Sequence, residues 1–444
     1  VLRSICPARP RQKNSSRPIN RLLDPPGKQF VVEMITVSFL EFFMAMTLRL
    51  FSAAARVEAD MPPLPGASSM KRRSTAARII ASILAGTMLT ASVQPSLSCT
   101  SLVFKAADGT GIYARTMEWG ASDLKSEMVL IPRKTTQSSV LGTDKTGISW
   151  SNVYGYVGIN PAGYPYATDG MNETGLTVGA LFYPGFAEYQ QPEAAEQSKT
   201  LSSMDVVNYL LGNFKTVEEV RQALPKLRVV KNADLEKAFG SELPLHHIVT
   251  DSTGASIVVE YTKGVLTIFD NKVGAMTNSP SYDWHLLNLR NYANLKPLGA
   301  PANRNINGVS LAPFGAGSGM HGLPGDFTPP SRFLRAVAFV ATMEPVKDAA
   351  AGVAAASSML NNFDIPQGLV REGASAEDYH LGFTQWSVIG DTRNKVYYYW
   401  TMYDRRMRSI DLTKLNFDAA KPSGFPLDRI RVQDIENRSA DFGK

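Results

Sequence analysis

Cysteine is almost absent from this sequence: Cys6 and Cys99 are the two present among 444 residues. A disulfide-stapled scaffold is therefore excluded, and once residues 1–98 are removed by processing no internal disulfide can form. Metal patterns are missing too. The five histidines, His246, His247, His285, His321 and His380, form no His-Glu-x-x-His or paired Cys/His spacing. There is no Gly-x-Ser-x-Gly elbow and no phosphate-binding glycine loop, so no metal and no cofactor is expected. Positive charge is scarce where it would matter. Residues 1–98 hold 13 Lys/Arg against 5 Asp/Glu, leaving 33 against 35 in 99–444, so the net +6 of the chain belongs to its beginning. A nucleic-acid partner has no electrostatic support, and a small-molecule substrate need not be polyanionic.

What is present begins with a leader. Met70-Lys71-Arg72-Arg73, followed by a stretch from Ala76 to Val93 whose one charge is Arg78, reads as the basic and apolar regions of a bacterial-type signal peptide over 70–98. It is too short and too weakly flanked for a membrane span, and none is expected in the mature chain. Ser96-Leu97-Ser98 places small residues for a cut after Ser98, which makes Cys99 the first residue of a periplasmic or secreted protein. Residues 1–69 follow no such logic and are expected to be a mis-assigned or disordered leader. A second reading of the same junction is lipoprotein processing: acylation of Cys99 would give an exported, lipid-anchored binding protein.

From Cys99 onward, Cys99 to Phe104 and Ile112 to Trp119 read as two strands of a hairpin turning at Asp108-Gly109. Further strands are expected at Ile248–Thr250, Ala255–Tyr261, Val265–Phe269, Gln385–Ile389 and Val396–Met402. Helices are expected at Leu201–Leu211, at Thr216–Leu224 behind the capping box Thr216-Val217-Glu218-Glu219, and at Tyr282–Leu295, Ser331–Met343 and Val346–Leu360. Strand groups alternating with helix pairs point to antiparallel sheets covered by helices, in one domain spanning 99–444.

A terminal cysteine carries its own base. Its thiol has an ordinary pKa of about 8.5 and its α-amine about 7.7–8.0, so the amine can take the thiol proton directly. A nearby guanidinium favours the thiolate, and Arg115 is the nearest candidate across the hairpin.

These residues resemble the choloylglycine hydrolase and penicillin V acylase family of N-terminal-nucleophile hydrolases. The resemblance covers essentially all of 99–444 and rests on Cys99-Thr100, Arg115, Asp169-Gly170-Met171-Asn172-Glu173-Thr174-Gly175-Leu176, Thr277-Asn278-Ser279-Pro280, and the run from Gly322 to Phe333. It implies an α+β fold, an αββα sandwich, and hydrolysis of a linear carboxamide with Cys99 as nucleophile. It implies further that Asn278 and the Phe182 backbone N–H receive the oxyanion, and that Arg115 and Arg332 are the two active-site arginines. Glu118 stands where the family usually has an Asp contacting the terminal amine. Phe182 tilts the acyl pocket toward an apolar, aromatic-tolerant wall, to which Trp119 and Tyr183 are expected to add. Bile-acid conjugates, penicillin V and long-chain acyl-homoserine lactones are the substrate classes the resemblance offers.

Plainer readings stand beside these. Cys99 could be a structural thiol, Arg115 an exposed partner of Glu118, Asn278 a turn residue and Arg332 a surface helix residue. A cysteine–histidine protease is the competing enzyme class. Asn172 and Glu173 read as turn-makers. Self-association into a homo-oligomer is left open by the sequence.

Overall fold

The hairpin is present as expected. β1 (Cys99–Lys105) pairs antiparallel with β2 (Gly111–Glu118), placing Cys99 opposite Met117 and Ser101 opposite Arg115. Asp108 accepts the Thr110 N–H at 2.9 Å to close the turn, and Gly109 takes the φ of +86° that the turn requires. The structure is a computed structural model describing residues 99–442, apart from 121, 144, 162, 240–242, 300–303, 374 and 376–378. The expected segments 1–69 and 70–98 lie outside the described residues.

Among the described residues, two large antiparallel sheets form, of six and eight strands. The first runs Ala275–Met276, β1, β2, Thr384–Asp391, Val396–Thr401 and Arg408–Asp411. The second runs Val265–Asp270, Ser256–Thr262, Leu245–Thr250, Thr177–Phe182, Asp169–Asn172, Tyr156–Asn160, Glu127–Ile131 and Ser423–Pro426. Alternation gives each strand two faces. Tyr113 and Met117 meet Ile159, Met171, Leu181 and Ile248 in the core between the sheets. Helices Pro329–Thr342 and Ala349–Leu360 pack on the other face of the first sheet, where Gly352 abuts Ile112. Helix Val206–Asn213 packs on the far face of the second sheet, with Val206 and Leu210 against Val178 and Ala180. Four layers result, helices outside and sheets inside, which is the expected αββα sandwich.

Several boundaries move for local reasons. Thr200–Ser202 pairs in parallel with Arg228–Val230, so the helix expected from Leu201 begins at Val206. Thr216 caps the helix Val217–Ala223 by accepting the Glu219 N–H at 3.2 Å, but the Glu219 carboxylate takes the Lys215 N–H instead of closing the reciprocal box. Pro329 and Pro330 fill the first turn of their helix, which starts two residues earlier than expected. The helix from Tyr282 ends at Asn288 and continues as a short 3₁₀ turn to Tyr292. His380 lies in the strand Tyr379–Gly382.

Candidate active site

Cys99 opens β1 and is buried. Directly opposed residues of an antiparallel pair share a face, so its side chain projects between the sheets with Met117, and Arg115 lies on the same face. Arg115 Nη2 donates to Cys99 Sγ at 3.6 Å, and Met117 Sδ lies 3.9 Å from the sulfur. Arg115 is fully buried and held from below: Nη1 bonds the Thr168 carbonyl at 2.8 Å and Asp169 at 3.2 Å, and the guanidinium lies 5.3 Å over the Trp386 ring. Burial opposes its charge, but the Cys99 sulfur and Asp169 outweigh burial and raise its pKa above the ordinary arginine value. A fixed cation beside a sulfur stabilises thiolate. An exposed ion pair with Glu118 is thereby excluded. Three positions separate the two residues, so the strand points them to opposite faces.

Arg332 reaches the site from the other side of β1. Asp326 accepts from Thr328 N at 2.9 Å and Ser331 Oγ at 2.7 Å, which sets the start of the helix and buries Arg332 in its first turn. Its Nη1 donates to the Cys99 carbonyl and to Thr100 Oγ1, at 2.8 Å for the latter, and its Nη2 donates to Asn278 Oδ1 at 2.7 Å. Burial lowers its pKa to about 10 against the pull of Glu118, so it stays charged at neutral pH.

Asn278 is no surface turn residue. Its Oδ1 accepts the Cys99 N–H at 2.8 Å, its Nδ2 donates to the Phe182 carbonyl at 2.6 Å, and its own carbonyl accepts from His285 Nε2 at 2.9 Å. One of the two Nδ2 hydrogens is thus committed to Phe182. The Phe182 N–H is freed by strand alternation. Ala180 N–H donates to Thr168 on one side and Tyr183 N–H to Pro244 on the other. The Phe182 N–H therefore lies on the side of Ala180, beyond the end of the strand Asp169–Asn172.

Glu118 lies across the sheet from Thr384, whose hydroxyl donates to Oε1 at 2.8 Å, while Oε2 is buried with no partner. Burial raises its pKa to about 7, with Arg332 pulling it down. The Cys99 nitrogen, a peptide N–H in the full chain, donates its one hydrogen to Asn278 Oδ1.

A cavity of about 60 Å³ reaches both Cys99 and Glu118, walled by Met117, Trp119, Ala180, Phe182, Met204 and Leu245. Trp119 meets Phe182 edge to face at 6.3 Å. Tyr183 does not join this wall. Its ring turns to the opposite face of the strand from Phe182, stacks on His246 at 4.3 Å, and its hydroxyl donates to Glu260 at 3.2 Å.

The model of linear amide C–N hydrolases, choloylglycine hydrolase family, matches residues 99–425. The chain belongs to this family. Among relatives of this choloylglycine hydrolase family member, the bile salt hydrolase/transferase of Clostridium perfringens is 34% identical over 322 residues, covering 72% of this chain and 94% of the relative. The penicillin V acylase of Pectobacterium atrosepticum is 27% identical over 356 residues, covering 75% and 86%. A solved cysteine-to-alanine variant of the conjugated bile acid hydrolase from Clostridium perfringens superposes with a TM-score of 0.65 at 30% identity, over 77% of this chain and 99% of that one. Penicillin V acylase from Agrobacterium tumefaciens shares the fold at a TM-score of 0.59 and 24% identity, over 76% and 95%. This family member is a hydrolase of linear amide C–N bonds.

No histidine among the described residues is hydrogen-bonded to the Cys99 sulfur. His246 is spent on Glu260 and the Thr277 carbonyl, and His247 is buried without a partner, its pKa lowered to about 3 by burial. A cysteine–histidine arrangement is therefore not what this site offers. Among the described residues, no group of three or more His, Cys, Asp or Glu could hold a metal, and no helix is long and apolar enough to cross a membrane.

Sequence reading named Asp169 and His285 but gave them no role, and it missed Thr384. Asp169 accepts from Tyr113 and Tyr397 hydroxyls, each at 2.5 Å, as well as from Arg115. An acid opening a strand of a signature motif was the available signal. His285 gave none, because its partner is seven residues away across a turn. As expected, Asn172 builds its turn by accepting from Thr174 and Leu176 N–H, and Glu173 pairs with Arg133.

Proposed function

We propose that this enzyme, once cleavage after Ser98 frees the Cys99 amine, hydrolyses amides whose acyl group is slender and apolar, such as an aryloxyacetyl or unbranched chain, in preference to a steroid acyl group. The observation that carries this is the cavity at Cys99. Its walls are almost wholly apolar, and about 60 Å³ is less than half the roughly 150 Å³ that holds a benzene ring. A single aryl ring therefore enters only as the two methionines, Met117 and Met204, yield to it, whereas a fused ring system would need the strand end to move as well.

In this reading the amine accepts the thiol proton, and the thiolate, held by Arg115, attacks the carbonyl. The oxyanion is received by the Phe182 N–H and the second Asn278 Nδ2 hydrogen, each such donor being worth about 3 kcal/mol. Collapse breaks the C–N bond as the ammonium returns its proton to the leaving nitrogen. Water, deprotonated by the same amine, then cleaves the thioester and releases the acid.

The test holds one neutral amine constant and varies the acyl group among phenoxyacetyl, long-chain and cholyl. The first two should exceed the third in kcat/KM by about tenfold or more. A cholyl amide turned over fastest would overturn the reading. Cys99→Ser should fold and lose about a hundredfold or more of the activity, an alcohol being the poorer nucleophile at neutral pH. Terminal sequencing of exported protein should begin at Cys99, and a sulfur-linked lipid there would replace this reading with the anchored binding protein.

A further inference from the structure

The two donors assigned to the oxyanion stand on segments of different sheets. Phe182 ends the strand Thr177–Phe182 of the second sheet, whereas Asn278 follows Ala275–Met276 at an edge of the first. Contacts between the two segments fix part of this arrangement. Asn278 Oδ1 receives Cys99 N and Arg332, its Nδ2 is bonded to the Phe182 carbonyl, and Ser279 Oγ donates to the Pro184 carbonyl at 2.6 Å. The spacing of the Phe182 N–H and the Asn278 amide depends further on what holds the two main chains from behind.

One buried carboxylate reaches both. Glu260, on the strand Ser256–Thr262, is 2% exposed. Its Oε2 accepts the hydroxyl of Tyr183, the residue after Phe182, at 3.2 Å. Its Oε1 accepts from His246 Nδ1 at 3.2 Å and from the Tyr282 N–H at 3.0 Å. His246 carries the link across to the other segment, because its Nε2 meets the carbonyl of Thr277, the residue before Asn278, at 3.0 Å. Tyr282 opens the helix Tyr282–Asn288, from which His285 Nε2 donates to the Asn278 carbonyl at 2.9 Å. Two consecutive carbonyls are thus held by two buried imidazoles, and Glu260 bonds to one imidazole and to the first residue of the helix that carries the other.

The hydrogen count makes the charge of Glu260 matter. His246 has an acceptor at each ring nitrogen, so both contacts are hydrogen bonds when each nitrogen carries a hydrogen. The ring is then a cation, and the Glu260 carboxylate is the anion beside it. The same ring stacks on Tyr183 with centroids 4.3 Å apart, which joins the two links. Burial and the Glu260 charge raise the Tyr183 phenol above its ordinary pKa, so it stays a donor.

We infer that Glu260 is a positioning residue for the oxyanion hole: through Tyr183 and His246 it sets the spacing of the Phe182 N–H and the Asn278 amide. This rests on the amide-hydrolase reading above and on the two donors assigned there. Glu260 acts through residues that flank the donors, and a displacement of about 1 Å at such a site costs up to about a hundredfold in rate.

Glu260→Gln keeps the size of the side chain and removes its charge, so His246 loses its anion and gives up one of its two contacts. Purified wild type and variant are compared on whichever amide of the acyl series above the wild type cleaves fastest. In the variant kcat should fall about tenfold or more while KM stays within about twofold, because oxyanion donors act in the transition state. Alkylation of Cys99 by iodoacetamide is a displacement at saturated carbon that forms no oxyanion, and its rate should stay within about twofold of wild type. Tyr183→Phe removes one hydroxyl and should lower kcat about threefold or more with the same split; it decides the matter if Glu260→Gln does not fold. An unchanged kcat, or a fall in kcat matched by slower alkylation, overturns the inference and leaves amide hydrolysis standing. A wild type that cleaves none of the series overturns the hydrolase reading and this inference with it.

Discussion

Asp169→Asn removes one buried charge and leaves the shape of the side chain almost unchanged, so its cost reports the network beneath Arg115. The carboxylate now receives Tyr113, Tyr397 and Arg115, all three fully buried. Burial pushes its pKa above the ordinary value, with Arg115 and the two phenols pulling it back, so it depends on these partners. Both phenols are held well above their ordinary pKa by burial and by the Asp169 charge, and they remain donors. An asparagine offers one oxygen to three donors, and its NH₂ then faces a phenolic hydroxyl. Leaving a buried donor unpaired costs about 1–3 kcal/mol, and stripping a buried cation of its partner about 3–5 kcal/mol. A loss of about 4 kcal/mol, with a urea slope of about 3 kcal/mol/M, moves the unfolding midpoint of the domain down by about 1.3 M. Alkylation of Cys99 by iodoacetamide at pH 7 should slow as well, because Arg115 is no longer fixed beside the sulfur. A midpoint within about 0.3 M of wild type, with unchanged alkylation, would refute the claim that Asp169 holds the guanidinium in place.

Two further perturbations probe the same region. Gly179→Ala places a Cβ 2.3 Å from the Tyr113 hydroxyl and 2.7 Å from Asp169 Oδ2, so it should cost about 2–3 kcal/mol in urea unfolding and lower turnover together; a stable, fully active variant would show that the network has slack. Glu118 has a folded pKa of about 7 against an ordinary 4.5, so it contributes stability fully present below pH 4.5 and lost as pH rises to about 7. Glu118→Gln should therefore flatten the fall in stability between pH 5 and 7, and an unaltered slope would mean that the carboxyl is not the titrating group.

Strands in both sheets were legible where they are bounded by turns of recognisable chemistry. Asp108-Gly109, Asp251-Ser252-Thr253-Gly254 and Asp391-Thr392-Arg393-Asn394 mark hairpin ends without reference to anything distant. The strands from Glu127 to Phe182 had no such markers in the sequence reading, and the strand Asp169–Asn172 lay inside a motif read as a turn. Tyr183 was misplaced because adjacent aromatics in a strand look alike in sequence but face opposite ways in the sheet.

The sequence by itself determined the chemistry on offer: one thiol in residues 99–444, an arginine across the first hairpin, and motifs whose order marks a family. Those are local facts of residue type and spacing. Only the tertiary structure decided how they are used. Asn278, 179 residues from Cys99, meets its nitrogen. Arg332 braces the strand from the helix side, and Glu118 turns away from Arg115 because a separation of three reverses the face of a strand. Which side chains meet at Cys99 depends on hydrogen bonds between segments far apart in the chain, and no local pattern records those.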